Sequence, residues 1–198
     1  RNVAHRIIEE FMLAANETVA RHLRDSDLPG LFRIHAPPDP AKVADFEAFT
    51  STLGCGLGAP PDRVRPRHFQ QLLKRLHGLP EERPVALLML RTMQKAQYDA
   101  VNAGHFGLAS ETYTHFTSPI RRYPDLVVHR LLRESRGDVP STERIEELRD
   151  ALPGIGRHAS AMERRAEEAE REIRDAIEFA EASPFPDMKA LYTDILGS

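Results

Sequence analysis

Tryptophan is absent from this chain, and cysteine occurs once, at Cys55. A single thiol excludes an intramolecular disulfide and a zinc site built on several cysteines, and it suits a reducing, cytoplasmic setting. Cys55 sits in the loop-like GCGLGAPPD (54–62) and reads as incidental. No apolar run approaches the roughly 18 residues that a bilayer span needs, so no membrane association is expected. The opening RNVAHRIIEEFM carries acids among its apolar positions, unlike a signal peptide. It has no initiator methionine and starts almost inside a helical pattern, as a fragment or processed chain would.

Familiar catalytic signatures are missing too. A cluster such as DxxDxDD would mark two-metal phosphoryl chemistry, because several carboxylates must meet on one pair of cations; there is none. Asp25 and Asp27 lie in a turn-like DSD and read as the end of a helix. There is no HExxH, no GxSxG and no phosphate loop, and His105 and His115 lack the spacing of a helical metal face. By its own residues the chain offers no metal site, nucleophile or general base.

What is present is an ordinary globular composition: 198 residues, 41% hydrophobic and 29% charged. The net charge of −3 is unevenly spread. From Asp138 to Ser198 eight Lys/Arg face fifteen Asp/Glu, a balance of −7, which leaves +4 on the first 137 residues. A basic body with an acidic tail is compatible with a polyanionic partner for the body.

Ile7, Ile8, Phe11, Met12, Ala15, Val19 and Leu23 recur at three-and-four spacing and predict an amphipathic helix over about 3–24. LFRIH (31–35) alternates and predicts a short strand. AKVADFEAFTSTLG predicts a second helix that stops near Gly54. Pro66 opens a third, through Leu79, and Pro84 a fourth, through Tyr98, since proline suits the first helical turn. HFGLASETYTHFT (105–117) has no helical period and reads as extended. PDLVVHRLLRES returns to helix, and after a break at PGIG one long charged helix runs over about 157–181, supported by the pairs Glu167–Arg171 and Glu170–Arg174. The fold class is therefore predominantly α with a minor β component (α+β).

The chemistry concentrates in HFTSPIRRY (115–123). Adjacent arginines are costly in a buried turn, where each charge must be solvated or paired, but useful at a phosphate. Ser118 and Pro119 predict a hydroxyl-capped turn that leaves backbone N–H groups free beside the Arg121 and Arg122 guanidinium forks. Tyr113, His115, Phe116 and Tyr123 would stack on bases, or simply pack in the core. Arg63, Arg65, Arg67, Lys74 and Arg75 crowd a second region, which reads as a solvated helix face.

IIEEFMLAANETVA (7–20), LFRIHAPPDP (31–40), GHFGLASETYTHFTSPIRRYPDLVVHR (104–130) and SAMERRAEEAEREI (160–173) occur in this order, and together they resemble the RNase II/RNase R (RNB-domain) exoribonucleases. The resemblance covers about residues 4–175 and is to the second half of the catalytic domain. It implies a partial RNB-type domain over 1–175 followed by a tail, 176–198. It also implies 3′-to-5′ hydrolysis of single-stranded RNA to nucleoside 5′-monophosphates, with Mg²⁺ held by an aspartate cluster that lies upstream in the family. Arg121 matches the family arginine that grips phosphate at the cleavage site, and Glu10 a glutamate near the terminal ribose. Ser118, Arg122, Tyr123 and His115 are expected to line the RNA, and Glu170 to lie on a helix bordering the channel.

The tail DAIEFAEASPFPDMKALYTDILGS (175–198) is similar instead to the C-terminus of 2-oxo acid dehydrogenase α subunits, without any cofactor motif. The expectation is thus the RNA-channel half of an exoribonuclease, inactive alone, with no metal bound by its own ligands. Two other readings stand beside it: a non-catalytic helical RNA-binding module, and a structural helical protein whose acidic end docks a basic partner. A truncated domain would expose an apolar face and self-associate.

Overall fold

A computed structural model describes residues 2–26, 28–137 and 140–184. The chain divides into two compact units, 1–160 and 161–198. Helices dominate: α1 (Val3–Arg24), α2 (Pro40–Thr52), α3 (Pro66–Leu76), α4 (Glu82–Thr92), α5 (Tyr123–Glu134) and α6 (Thr142–Ala182). Two short strands, β1 (Phe32–Ile34) and β2 (Gln97–Asp99), pair antiparallel with Arg33 opposite Tyr98.

Helix α1 matches its apolar period. Asn2 caps it by accepting the His5 N–H at 3.0 Å, and Arg21, His22 and Arg24 complement the negative end of its dipole. Only its second half is buried, through Val19, Ala20 and Leu23; Val3, Ile8 and Phe11 in the first turns are exposed.

Two larger hydrophobic cores and a small cluster of Ala20, Phe32 and Ile34 hold the first unit together. One joins the end of α1 to Leu31, Tyr98, α5 (Val127, Val128, Leu131) and α6 (Leu148, Leu152). The other packs α2, α3 and α4 through Val43, Phe46, Phe69, Leu72 and Val85.

Three elements differ from the sequence pattern. The fourth helix ends at Thr92 rather than Tyr98, because residues 97–99 satisfy the open backbone edge of β1 while Tyr98 turns into the core. The segment 105–117 makes no ladder of its own. Its backbone closes a short 3₁₀ turn, Phe106–Leu108, and then runs beside β1, with the Arg33 N–H donating to Tyr113 O at 2.8 Å and the Thr114 hydroxyl to Leu31 O at 2.6 Å.

The third difference is PGIG, which does not break the helix: α6 runs through Pro153. Gly156 serves close approach instead, since a Cβ there would lie 2.8 Å from the Tyr98 carbonyl oxygen. One turn on, the Ser160 hydroxyl accepts the Tyr98 N–H at 2.8 Å and donates to Gly156 O at 2.9 Å.

In the second unit α6 is solvent-exposed from Met162 onward apart from half-buried Glu163, and Arg174 reaches Glu170 at 3.0 Å as the spacing predicts. Arg171 lies 3.6 Å from Glu168. Residues 185–198, with most of the dehydrogenase-like tail, lie outside the described residues, as does Asp27.

Candidate nucleic-acid interface

The turn before α5 is built around one carboxylate. Asp125, in the first turn of α5, is fully buried. Its Oδ2 accepts the Ser118 N–H and an Arg122 Nη2–H, each at 2.8 Å. The Arg122 Nε sits 2.8 Å from Oδ1, an ion-pair contact without a well-aligned hydrogen bond. The Ser118 carbonyl in turn accepts the N–H groups of Arg121 at 3.3 Å and Arg122 at 3.1 Å.

The two arginines therefore divide their labour. Arg122 neutralises a buried acid and fixes the turn, because an unpaired Asp125 would be costly. Arg121 points the other way in function: it is exposed, and its side chain has no hydrogen-bond or acidic partner among the described residues. Ile120 is fully exposed and Tyr123 is half exposed beside it.

This geometry corrects the expected capping scheme. The residue capping α5 is Arg122, not Ser118, and the N–H groups of Ser118, Arg121 and Arg122 are all taken within the protein. What the turn offers a phosphate is the Arg121 guanidinium, not a nest of backbone donors.

Behind the turn the rings pack inward. Tyr113 is buried, and its hydroxyl accepts from the Asn16 amide at 2.8 Å, while Asn16 Oδ1 accepts the Phe116 N–H at 2.9 Å. Phe116 stacks on His129 at 4.1 Å, and the His129 Nε2 lies 2.9 Å from Phe116 O. His115 Nδ1 is 2.7 Å from the Tyr98 hydroxyl, edge-on to the rings of Tyr98 and Tyr113. Burial, reinforced by Arg122 and Arg33, pushes the His115 pKa down to about 3. His105, 5.4 Å from Tyr113, is pushed down to about 4 by burial and by His35 and Arg33. Both rings are neutral at pH 7.

Of the expected residues, Ser118, Arg121, Arg122 and Tyr123 meet on one turn, while His115, just upstream, bonds to Tyr98. Glu10 is exposed on α1, with no hydrogen bond or ion pair to the turn. Glu170 belongs to the second unit and is paired with Arg174. Asp125 and Asn16 were not singled out from sequence, although Arg122 and Asp125 stand at the i,i+3 spacing of a helical pair.

Among the described residues no group of three or more His, Cys, Asp or Glu is placed to hold a metal ion, so these residues do not fit the magnesium that the resemblance implies.

Residues 1–136 match the RNB domain, and the chain belongs to that family. It is similar to ribonuclease R 1 of Lactococcus lactis, 45% identical over 174 residues, which is 87% of this chain and 21% of that protein. The chain thus spans about a fifth of that curated relative.

Among solved structures it resembles Mycoplasma genitalium RNase R in complex with ribose methylated single-stranded RNA. That likeness has a TM-score of 0.83 at 30% identity and covers 90% of this chain and 28% of the other. Yeast Ssd1, a pseudonuclease, shares the fold with a TM-score of 0.66 at 28% identity, over 77% of this chain and 19% of the other. No helix among the described residues is long and apolar enough to cross a membrane.

Proposed function

We propose that this chain is the phosphate-gripping part of an exoribonuclease domain that shortens single-stranded RNA from its 3′ end and releases nucleoside 5′-monophosphates. The observation that carries the reading is the split between the two arginines: Arg122 is held by buried Asp125, while Arg121 is exposed on a fixed turn with no partner among the described residues. In that position Arg121 steadies the phosphate at the cleavage site and the charge that develops on its oxygens. Glu10 accepts a hydrogen bond from a ribose 2′-hydroxyl, the group that separates RNA from DNA. Tyr123 offers a half-exposed ring to an adjacent base, and His115, a neutral half-buried ring, lines the RNA with it. Glu170 borders the RNA.

The described residues would not hold the magnesium that the resemblance implies, so the part assigned to them is to bind and orient the RNA. The chain alone then binds RNA without cutting it. The exposed side chains of Val3, Ile8 and Phe11 support self-association of the isolated chain through the first turns of α1. Loss of that association in an Ile8→Glu, Phe11→Glu double variant, read by sedimentation velocity, is the expected result.

A second reading, a non-catalytic RNA-binding module, is favoured by the likeness to yeast Ssd1, a pseudonuclease.

The test is incubation of the chain with 5′-labelled single-stranded RNA and Mg²⁺, followed by a denaturing gel and a parallel mobility-shift gel. An intact band, with a shift lost in Arg121→Ala, supports the phosphate-gripping role; unchanged binding in Arg121→Ala removes it. A ladder shortening from the 3′ end would mean that the chain supplies its own metal ligands. To separate the two readings, the chain is grafted in place of the matching stretch of Lactococcus lactis ribonuclease R 1. Exoribonuclease activity in the chimera favours the catalytic part, and a folded but inactive chimera favours the binding module.

A further inference from the structure

A second cationic surface, built from other elements than the Arg121 turn, lies on α3 and the loop that leads into it. From Arg63 to Pro80 the sequence contains no Asp or Glu, while Arg63, Arg65, Arg67, Lys74 and Arg75 fall within it. Helix α3 buries Phe69, Leu72 and Leu76 in the second core, which turns its whole cationic face to solvent.

Two adjoining surface cavities, of about 680 and 590 Å³, run along this face and share Gly58, Arg67 and His68. One continues to Lys74 and Arg75, the other to Arg63 and Arg65. Together they form a groove walled by cations at both ends.

The nearby acids do not cancel this charge. Asp62 lies 3.7 Å from Arg63 in an exposed pair, and Glu47 accepts the Leu57 N–H at 2.7 Å, which holds the loop in place. Arg75 donates to the Gly56 carbonyl and fixes the loop to the helix. Arg67 lies 3.4 Å from the His68 ring. The side chains of Arg65 and Lys74 have no partner among the described residues. No Phe, Tyr or Trp lines either cavity, so the groove offers charge and no stacking platform.

We infer that this groove is a second nucleic-acid contact that takes the phosphodiester backbone without reading bases. A row of cations with no Phe, Tyr or Trp among them, and with one exposed acid, Asp62, beside Arg63, suits a repeating polyanion: each phosphate neutralised releases counterions, and the contact is indifferent to sequence and sugar. The inference goes beyond the cleavage-site reading, because it concerns a surface built from other elements and would hold for a non-catalytic binder as well.

The test measures affinity of the 198-residue chain for an abasic deoxyribose-phosphate oligomer and for an oligouridylate of equal length, by fluorescence anisotropy across a salt series. The variants are Arg121→Gln and the triple Arg65→Gln, Arg67→Gln, Lys74→Gln, each first checked for folding by circular dichroism. The triple variant is expected to bind both probes about tenfold or more weakly at ~0.1 M salt, with a log–log salt slope shallower by about 2, as three lost contacts give. Arg65→Lys with Arg67→Lys is expected to keep the affinity, because a phosphate backbone accepts point charges.

Unchanged binding of the abasic oligomer by the triple variant overturns the inference. If Arg121→Gln alone weakens binding of oligouridylate, the cleavage-site reading survives that failure; if the triple variant alone weakens it, the groove stands and the Arg121 reading falls.

Discussion

Two regions of this protein gather arginines, and they do so by opposite means. At the turn before α5, one of two adjacent arginines, Arg122, is held by a buried acid, and this pairing fixes the turn that carries exposed Arg121. Along α3 and the loop before it five cations spread over the surface, with exposed Asp62 beside Arg63 and, among the described residues, no buried acid paired with any of them. The first arrangement places one charge on a rigid support, which suits a single scissile phosphate. The second produces a field along a groove, which suits a backbone held in any register. The difference teaches that local charge density is a poor guide to a site's precision; what the charges are anchored to is a better one.

The largest expected effect separates the two regions by stability. Asp125→Ala leaves Arg122 without its acid and the Ser118 N–H without an acceptor, and should cost about 3–5 kcal/mol in urea unfolding. The triple Gln substitution on α3 should stay within about 0.5 kcal/mol. Equal losses would erase the distinction.

Acid should strike the turn side first. His105 and His115 have folded pKa values of about 4 and about 3, below the ordinary 6.5. The unfolded chain therefore takes up these protons before the native one does. The stability due to the neutral rings is whole above pH 6.5 and is lost progressively as pH falls toward 3. Between pH 6 and pH 4.5 the His115 share of that loss is about 2 kcal/mol. His115→Gln should flatten the fall in melting temperature over that range; an unchanged slope would show that the ring is not held neutral.

The smallest effect is on salt. Arg121→Gln should leave the melting temperature unchanged and make the log–log salt slope of RNA binding shallower by about 0.7, one phosphate contact on a single strand. A change of several contacts would mean that Arg121 organises neighbouring groups as well as gripping its own phosphate.

Much of the fold lies open in the sequence where a pattern repeats along one element. Helix α1 follows its apolar period from Val3 to Arg24, and β1 its alternation. The misread stretches are those whose state is set by a distant partner. Residues 93–98 continue a helix by local preference, yet the open edge of β1 claims Gln97–Asp99. Pro153 and Gly156 look like a helix break, but Gly156 is there because the Tyr98 carbonyl comes so near.

The same holds for the candidate site. The adjacency of Arg121 and Arg122 is visible in the sequence, whereas the choice between them depends on the burial of Asp125, which only packing decides. The ring-rich stretch divides likewise. Tyr113 faces the Asn16 amide in the core, and Tyr123 remains at the surface.

The division of the tyrosines gives the protein its own optical reporter. With no tryptophan in the chain, tyrosine emission is not drained by energy transfer to indole. Of its four tyrosines, Tyr98 and Tyr113 are buried with their hydroxyls engaged, by His115 and Asn16 respectively, and Tyr192 lies outside the described residues. Tyr123 stands half exposed next to Arg121. An oligonucleotide seated on the turn would alter the light from Tyr123 while leaving the two interior rings dark to it, so the unlabelled protein can be watched as it takes hold of its ligand.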